Sequence, residues 1–439
     1  LNRLSALSHS NTTETVASYN FVYDNASRIT RITDIDGTTD YTYDDRDQLV
    51  GANHSSIARP DESYQYDANG NRIKSSLHGN GYVTGAGNRL LSDGTYNYAF
   101  DNEGNLLKLT EIVTGNFRDF IWDFRNRLVS VIDKTANGVA TLEVEYSYDG
   151  LDRRISKSVD QTPQDTVDAV IMHFVYDRED VILDFVDSDS AGPGSATLDM
   201  RYLHGPGIDQ VLAQEDGAGN AQWLLADHLG TVRDLANEAG VIVNQIMYDS
   251  FGNITSQINT ILDTRFGFTG RELDSEVGLY YYRARYYDPT VGNFLSEDPQ
   301  SFRASDMNLR RYVANSPIDS IDPFGLEGSS CIFSKEAKEK AKKDFKRDVE
   351  KAKKDLEAIK KAIDKPTDAI QNKIKEKSKE LDDLLKDLNN PDRPIGDTIN
   401  DKIDDYTKLN KGIDYGVNPL GTNPKSGEPS IIGTITYGF

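Results

Sequence analysis

The sequence predicts a mostly β protein built from a long series of hairpins, followed by a small, mainly α-helical C-terminal segment. Three observations predict it: a recurring Tyr-Asp phrase, an alternation of apolar and polar residues around that phrase, and an abrupt change of composition near residue 327.

The phrase returns as YDNASRI from Tyr23, YDDRDQL from Tyr43, YDANGNRI from Tyr66, FDNEGNLL from Phe100, WDFRNRL from Trp122, YDGLDRRI from Tyr148, YDREDVI from Tyr176 and YDSFGNI from Tyr248. Most copies are 20 to 34 residues apart, a length that suits one hairpin per unit. Tyr146 and Tyr148 alternate before one turn, and residues 154 to 159 alternate after it, the period of a strand. Between the arms lie Asp, Asn and Gly, which accept backbone N–H bonds or tolerate positive φ. A lone hairpin is marginal in water, so consecutive hairpins should pair into one long sheet that covers its apolar face and hides its edges. Irregular spacing argues against the equal blades of a propeller.

The chain has 439 residues, 49 Lys+Arg against 71 Asp+Glu, a net charge of −22 and one cysteine, Cys331. So acidic a balance disfavours nucleic acid or an anionic membrane as partner of the β part, because both repel it. No stretch approaches the roughly 18 apolar residues of a membrane helix. Lacking an initiating Met and opening partway into a pattern, the sequence reads as the C-terminal piece of a longer chain, with any export signal elsewhere. Residues 1 to 326 carry a net charge of −23 and 20 of the 23 tyrosines, whereas residues 327 to 439 carry +1. A boundary therefore falls near 327.

The hairpin phrases, LLADHLGTVRDL from Leu224, and GFTGRELDSEVGLYYYRARYYDPTVGNFLSEDP from Gly267 to Pro299 together resemble the Rhs/YD-repeat proteins. That family includes the C components of insecticidal toxin complexes, and teneurins carry similar repeats. The resemblance covers about residues 15 to 326. It implies a β-sheet ribbon spiralling into a cocoon (residues 1–266), a core segment that caps it (267–326), and a variable effector tail held inside as cargo (327–439). Family shells have more repeats than this chain, which is thus expected to form the closing part. It further implies secretion or surface display, delivery into a target cell by a dedicated machinery, and a cognate immunity protein.

The same resemblance supplies a candidate chemistry. Two Asp-Pro pairs, Asp298-Pro299 and Asp322-Pro323, match the motifs of a self-cleaving aspartic protease that cuts after the Leu of DPxGL. Carried over, Asp298 and Asp322 are the dyad, and the bond between Leu326 and Glu327 is cut once. Adjacent carboxylates cannot both ionise cheaply, so one serves as acid while the other takes a proton from water. An intramolecular target can gain roughly 7 to 11 kcal/mol from orientation. Pro323 stiffens the approach and Gly325 lets the backbone come close. Arg310 or Arg285 could hold one of the pair; Asp288, Asp306 and Asp319 are further carboxylates nearby. The first motif has Ser301 where the family has Gly.

Other motifs carry less. His173, His204 and His228 lack metal-ligand spacing, and neither a metal nor a cofactor is expected. GPG at 205 to 207 reads as a turn. In the tail, apolar positions from Ala337 to Ile363 and from Ile370 to Leu388 write two helical stripes separated by Pro366, which suggests a helical hairpin. Residues 335 to 379 carry +7 and could touch nucleic acid or anionic lipid, although a solvated helix face laced with i,i+4 ion pairs explains them better. The tail has no His, which removes His-dependent sites. Asp401, Asp404 and Asp405 with nearby lysines leave a carboxylate nuclease open, and the last residues read as a strand or short hairpin. The alternative function is a non-catalytic surface adhesion or structural protein with a helical docking tail.

Overall fold

The computed structural model describes residues 3–11, 13–57, 59–165, 169–188, 196–301, 306–326, 329–330 and 431–438. The two tail helices, Cys331, Glu327 and the tail carboxylates lie outside the described residues.

The described part is mostly β, as predicted, and the strands pair in chain order. Strands from Arg3–Asn11 to Arg72–Ser75 form an eight-stranded sheet whose remaining edge strand is Ile431–Gly438, antiparallel to Arg3–Asn11. Strands from Val83–Thr84 to Ile254–Gln257 form a sixteen-stranded sheet. The short strands Glu272–Asp274, Leu279–Tyr282, Arg285–Asp288 and Asn293–Phe294 make a separate four-stranded sheet.

One turn geometry repeats because one residue pattern does. In the unit at Asp149, Oδ1 accepts the backbone N–H of Leu151 and of Arg153 at 2.8 and 3.0 Å, while Oδ2 accepts the Arg153 side chain at 2.8 Å. Asp67 binds Asn69 and Asn71 in the same way, and Asp249 binds Phe251 and Asn253. The aromatic residue before the Asp then stitches its hairpin to an earlier one. The hydroxyls of Tyr43, Tyr148 and Tyr176 donate to the carbonyls of Ile29, Leu128 and Arg154 at 2.7, 2.6 and 2.8 Å. Trp122 uses its indole N–H on Leu106. Each of these carbonyls lies where the ladder slips register beside a turn, so the aromatic supplies a donor that the ladder lacks there.

Two predicted details differ. The copy at Asp177 closes as a tight hairpin in which Asp177 pairs with Asp180, because Arg178 takes a left-handed φ of +57°. Conversely, Asp216 and Asp227 build the repeated turn although Glu215 and Ala226 stand where the aromatic should be.

The core sits between the sixteen-stranded sheet and the segment after 266. Leu128, Val131, Val144 and Tyr146 of the sheet pack against Leu279, Tyr281, Tyr286 and Leu295. A buried charge cluster joins the same parts. Arg154 meets Glu272 at 2.7 Å and Asp274 at 2.5 Å, and Lys157 meets Glu276 at 3.0 Å. The two large sheets meet where Ala17 packs on Leu225 and Ala236, His9 donates to the Ala226 carbonyl, and both Glu62 carboxylate oxygens accept the Ser250 N–H.

Candidate functional site

The residues around the second Asp-Pro pair form a closely held loop that leads out of a short strand. Ser320–Ile321 pairs antiparallel with Ser329–Ser330. Gly325 has φ +67°, and a Cβ on it would lie 2.4 Å from the Tyr282 carbonyl oxygen. No residue with a side chain fits there without displacing backbone. Pro323 is half-buried, and its carbonyl accepts a hydrogen bond from Arg283.

Asp298 enters from the other motif. Its Oδ1 accepts the Gln300 N–H at 2.8 Å, and its carbonyl accepts the Ser301 N–H, which closes a turn. Ser301 takes φ +53°, the left-handed conformation that the expected Gly adopts freely.

Arg285 brings the two aspartates together. A single nitrogen, Nη2, lies 3.0 Å from Asp298 Oδ2 and 3.3 Å from Asp322 Oδ2, and all three side chains are buried. The strand Arg285–Asp288 aims the guanidinium, whose carbon sits 3.7 Å from the Phe294 ring centroid. Nη1 donates to the Leu309 carbonyl, which also accepts the Asp298 N–H. Burial pulls the Arg285 pKa below the usual guanidinium range, against the pull of Asp322 and Asp298. Two carboxylates and one guanidinium sum to −1, so a single proton shared by the pair makes the buried group neutral.

The chain next to the pair is gripped as well. Asp322 Oδ1 accepts the Leu326 N–H at 3.1 Å, and Arg285 Nε donates to the Gly325 carbonyl at 2.5 Å. The Gly325–Leu326 peptide thus touches the carboxylate with one end and the guanidinium with the other.

Arg310, the other arginine that could hold one of the pair, has its contacts with a different part of the fold. It donates to the carbonyls of Gly104 and Leu295, pairs with Glu297 at 3.3 Å and lies over Phe100, so it ties the Asp101 hairpin to the core segment. Burial lowers its pKa to about 10. Asp306 pairs with Arg311, Asp319 accepts the Ile29 N–H, and Asp288 accepts from Thr290. Sequence reasoning therefore named both aspartates but left open the arginine that joins them, whose position depends on strand register. His204 and His228 donate to the carbonyls of Val181 and Ile318. Among the described residues, no group of three His, Cys, Asp or Glu could hold a metal, and no helix is long and apolar enough to cross a membrane.

Comparison with known proteins places this geometry in context. Double-stranded DNA deaminase toxin A of Burkholderia cenocepacia (strain H111) is 28% identical over 332 residues, covering 71% of this chain and 22% of the relative. Probable deoxyribonuclease RhsB of Dickeya dadantii (strain 3937) is 27% identical over 322 residues, covering 66% and 21%. The tRNA3(Ser)-specific nuclease WapA of Bacillus spizizenii is 30% identical over 271 residues, covering 60% and 9%. The chain spans less than a quarter of the length of each of these relatives. Among solved structures, the TcdB2-TccC3-Cdc42 crystal structure is similar with a TM-score of 0.45 at 19% identity, covering 71% of this chain and 18% of that one. The sequence profile of the Teneurin YD-shell matches residues 1–318. With that match across most of its length, and with hairpins stitched by the Tyr and Asp of each repeat, the chain belongs to the Teneurin YD-shell family.

Proposed function

We propose that this chain is the closing part of an Rhs-type toxin delivery shell that holds its C-terminal tail as cargo and cuts its own backbone between Leu326 and Glu327. The observation that carries the reading is the Arg285 Nη2 contact to both Asp298 and Asp322, beside a loop whose Leu326 N–H rests on Asp322. In the reaction one carboxylate takes a proton from water as its oxygen attacks the Leu326 carbonyl carbon. The protonated partner then gives its proton to the leaving nitrogen of Glu327. The products are a Leu326 carboxylic acid and a Glu327 amine, which settle as carboxylate and ammonium once the acid's proton passes to the amine, and the pair ends as it began, with one proton. Arg285 offsets the charge of the ionised member, and burial of the site strengthens each contact. The toxin names of the relatives support the cargo reading, and with it a delivery machinery and an immunity protein as partners.

One contact favours a neighbouring bond. Arg285 Nε polarises the Gly325 carbonyl, which would suit attack on the Gly325–Leu326 peptide. Intact mass of the purified chain decides, because the two cuts differ by one leucine. We expect two pieces split after Leu326 and a single whole chain for Asp322→Asn and Asp298→Asn. A wild-type chain that stays whole on long incubation overturns the reading.

A further inference from the structure

Beside the gripped loop lies a cavity of about 180 Å³ that the proposed reaction does not yet use. Leu326 and Phe324 line it from the loop side, and Leu151, Tyr176, Tyr281 and Arg283 line it from elsewhere. Its walls come from three regions of the chain: the hairpin turn at 149 to 153, the strand end at Tyr176, and the core segment. Leu326 is half-buried and leaves the space beyond it unfilled.

The chemistry of the walls says what the space can hold. Three guanidiniums, those of Arg153, Arg271 and Arg283, border it, which at first suggests an anion. Each already has a carboxylate partner. Arg153 pairs with Asp149 at 2.7 Å, and Arg271 and Arg283 both pair with Asp209, at 2.5 and 2.7 Å. Arg283 also lies 5.1 Å over the Phe324 ring and holds the Pro323 carbonyl, so it fixes the loop that enters the cavity. The tyrosines are likewise engaged at their polar ends: the Tyr176 hydroxyl donates to the Arg154 carbonyl and that of Tyr281 to the Asp152 carbonyl. Of the carboxylates in the walls, Asp152 pairs with Arg125 and Arg127 and Glu272 with Arg154 and Arg265, while Glu179 is exposed; the rest of the surface offered to an occupant is leucine side chain, aromatic face and guanidinium plane. A dry apolar cavity of roughly 150 Å³ accepts a benzene ring, so this one is large enough for any aliphatic side chain and for a phenyl group.

We infer that this cavity is the specificity pocket for the side chain of residue 326, and that it selects apolar side chains up to the size of phenylalanine at the cut bond. The inference rests on the self-cleavage reading and names what that reading leaves open: why the residue at the cut is leucine. An acidic side chain there would meet guanidiniums already paired and the carboxylates of Asp152, Glu179 and Glu272, whereas a short one would leave the pocket empty and the loop loosely held. The hairpins at Asp149 and Tyr176 belong to the shell, so the pocket is complete only once the shell has packed on the core segment. Cleavage is thereby tied to closure.

The test follows the full chain through cell-free synthesis, scoring cleavage over time by denaturing gel and the cut position by intact mass. Relative to wild type, Leu326→Phe should cut within about threefold of the same rate, Leu326→Ala at least tenfold more slowly and Leu326→Glu more slowly still. A second variant approaches from the far wall. Leu151 is 75% exposed, so Leu151→Trp should leave the melting curve unchanged while filling the cavity and slowing the cut of the natural Leu326. Wild type cut normally with an indifferent series at 326, or with Leu151→Trp as fast as wild type, overturns the pocket. A wild-type chain that never cuts overturns the self-cleavage reading and removes the reaction that the pocket would serve.

Discussion

Tyr148 donates its hydroxyl hydrogen to the backbone carbonyl of Leu128, 20 positions back, at 2.6 Å. The Leu128 side chain is buried, and the ladder slips register where it pairs with Trp122, so this carbonyl has the tyrosine as donor across the hairpin boundary. Arg127 lies 4.8 Å from the same ring, which makes the residue after one turn a partner of the aromatic before the next. Replacing Tyr148 by Phe keeps the packing and deletes this bond together with the 3.3 Å contact between the Tyr148 and Tyr286 hydroxyls. We expect a loss of about 1 to 3 kcal/mol in denaturant unfolding, the cost of a buried acceptor left without its donor. A variant as stable as wild type would show that the repeat's tyrosine acts by its ring alone.

The repeat was legible because its chemistry is local. An Asp that caps its own turn needs only the next four residues, and alternation around it sets the strands. Where one member of the phrase is missing, the signal fails: Asp216 and Asp227 make the same turn but follow Glu215 and Ala226, so no Tyr-Asp pair marks them. The site was half legible for the same reason. Asp298 and Asp322 stand in short motifs, while the choice between Arg285 and Arg310 is made by strand register and by the hairpin at Gly104, neither of which the local sequence contains.

The two turns of the Asp-Pro motifs should respond oppositely to the same atoms. Ser301 and Gly325 both hold positive φ, +53° and +67°. Ser301 bears a Cβ in that conformation, and Ser301→Gly should stabilise the chain by up to about 1 kcal/mol, the left-handed penalty less the entropy that glycine adds to the unfolded state. Gly325→Ala adds a Cβ 2.4 Å from the Tyr282 oxygen, so it must move the loop that carries Leu326. Thermal unfolding checks the first. The second is read as loss of the cleaved pieces on a denaturing gel, and normal cleavage in Gly325→Ala would mean that the loop is not held as tightly as its contacts indicate.

Stability should fall as pH rises from about 4 to about 7, through Asp249. Burial, with the Glu62 carboxylate beside it, pushes the Asp249 pKa up to about 7. Between its ordinary value and 7 the folded chain therefore keeps a proton that the unfolded chain releases, and stability declines with pH over that window. Above about 7 the decline from this group is complete. Asp249→Asn carries no such proton, and its oxygen can still cap the N–H groups of Phe251 and Asn253. Unfolding midpoints measured from pH 4 to 8 should slope less for Asp249→Asn than for wild type. Parallel curves would mean that the carboxyl is ionised in the fold throughout.

The buried cluster at Arg154 should be the least tolerant point of the interface between sheet and core segment. Burial pushes the Glu272 pKa up, yet the guanidiniums of Arg265, Arg154 and Arg271 overcome it and hold the group at about 2. Glu272 therefore stays ionised in the fold at any ordinary pH. Arg154→Met preserves much of the side chain's bulk but takes one contact from Glu272, which keeps Arg265, and leaves Asp274 with Lys157 at 3.3 Å as its remaining ion pair. Removing one partner of a buried ion pair costs about 3 to 5 kcal/mol, far more than the pair itself contributes when intact. We expect Arg154→Met to lower the free energy of unfolding by that amount and to raise hydrogen exchange first at residues 272 to 288. Adding Glu272→Gln and Asp274→Asn removes the stranded charges, so the triple variant should recover part of the loss. If it recovers none, packing of Arg154 on Tyr281, rather than charge, holds the two parts together.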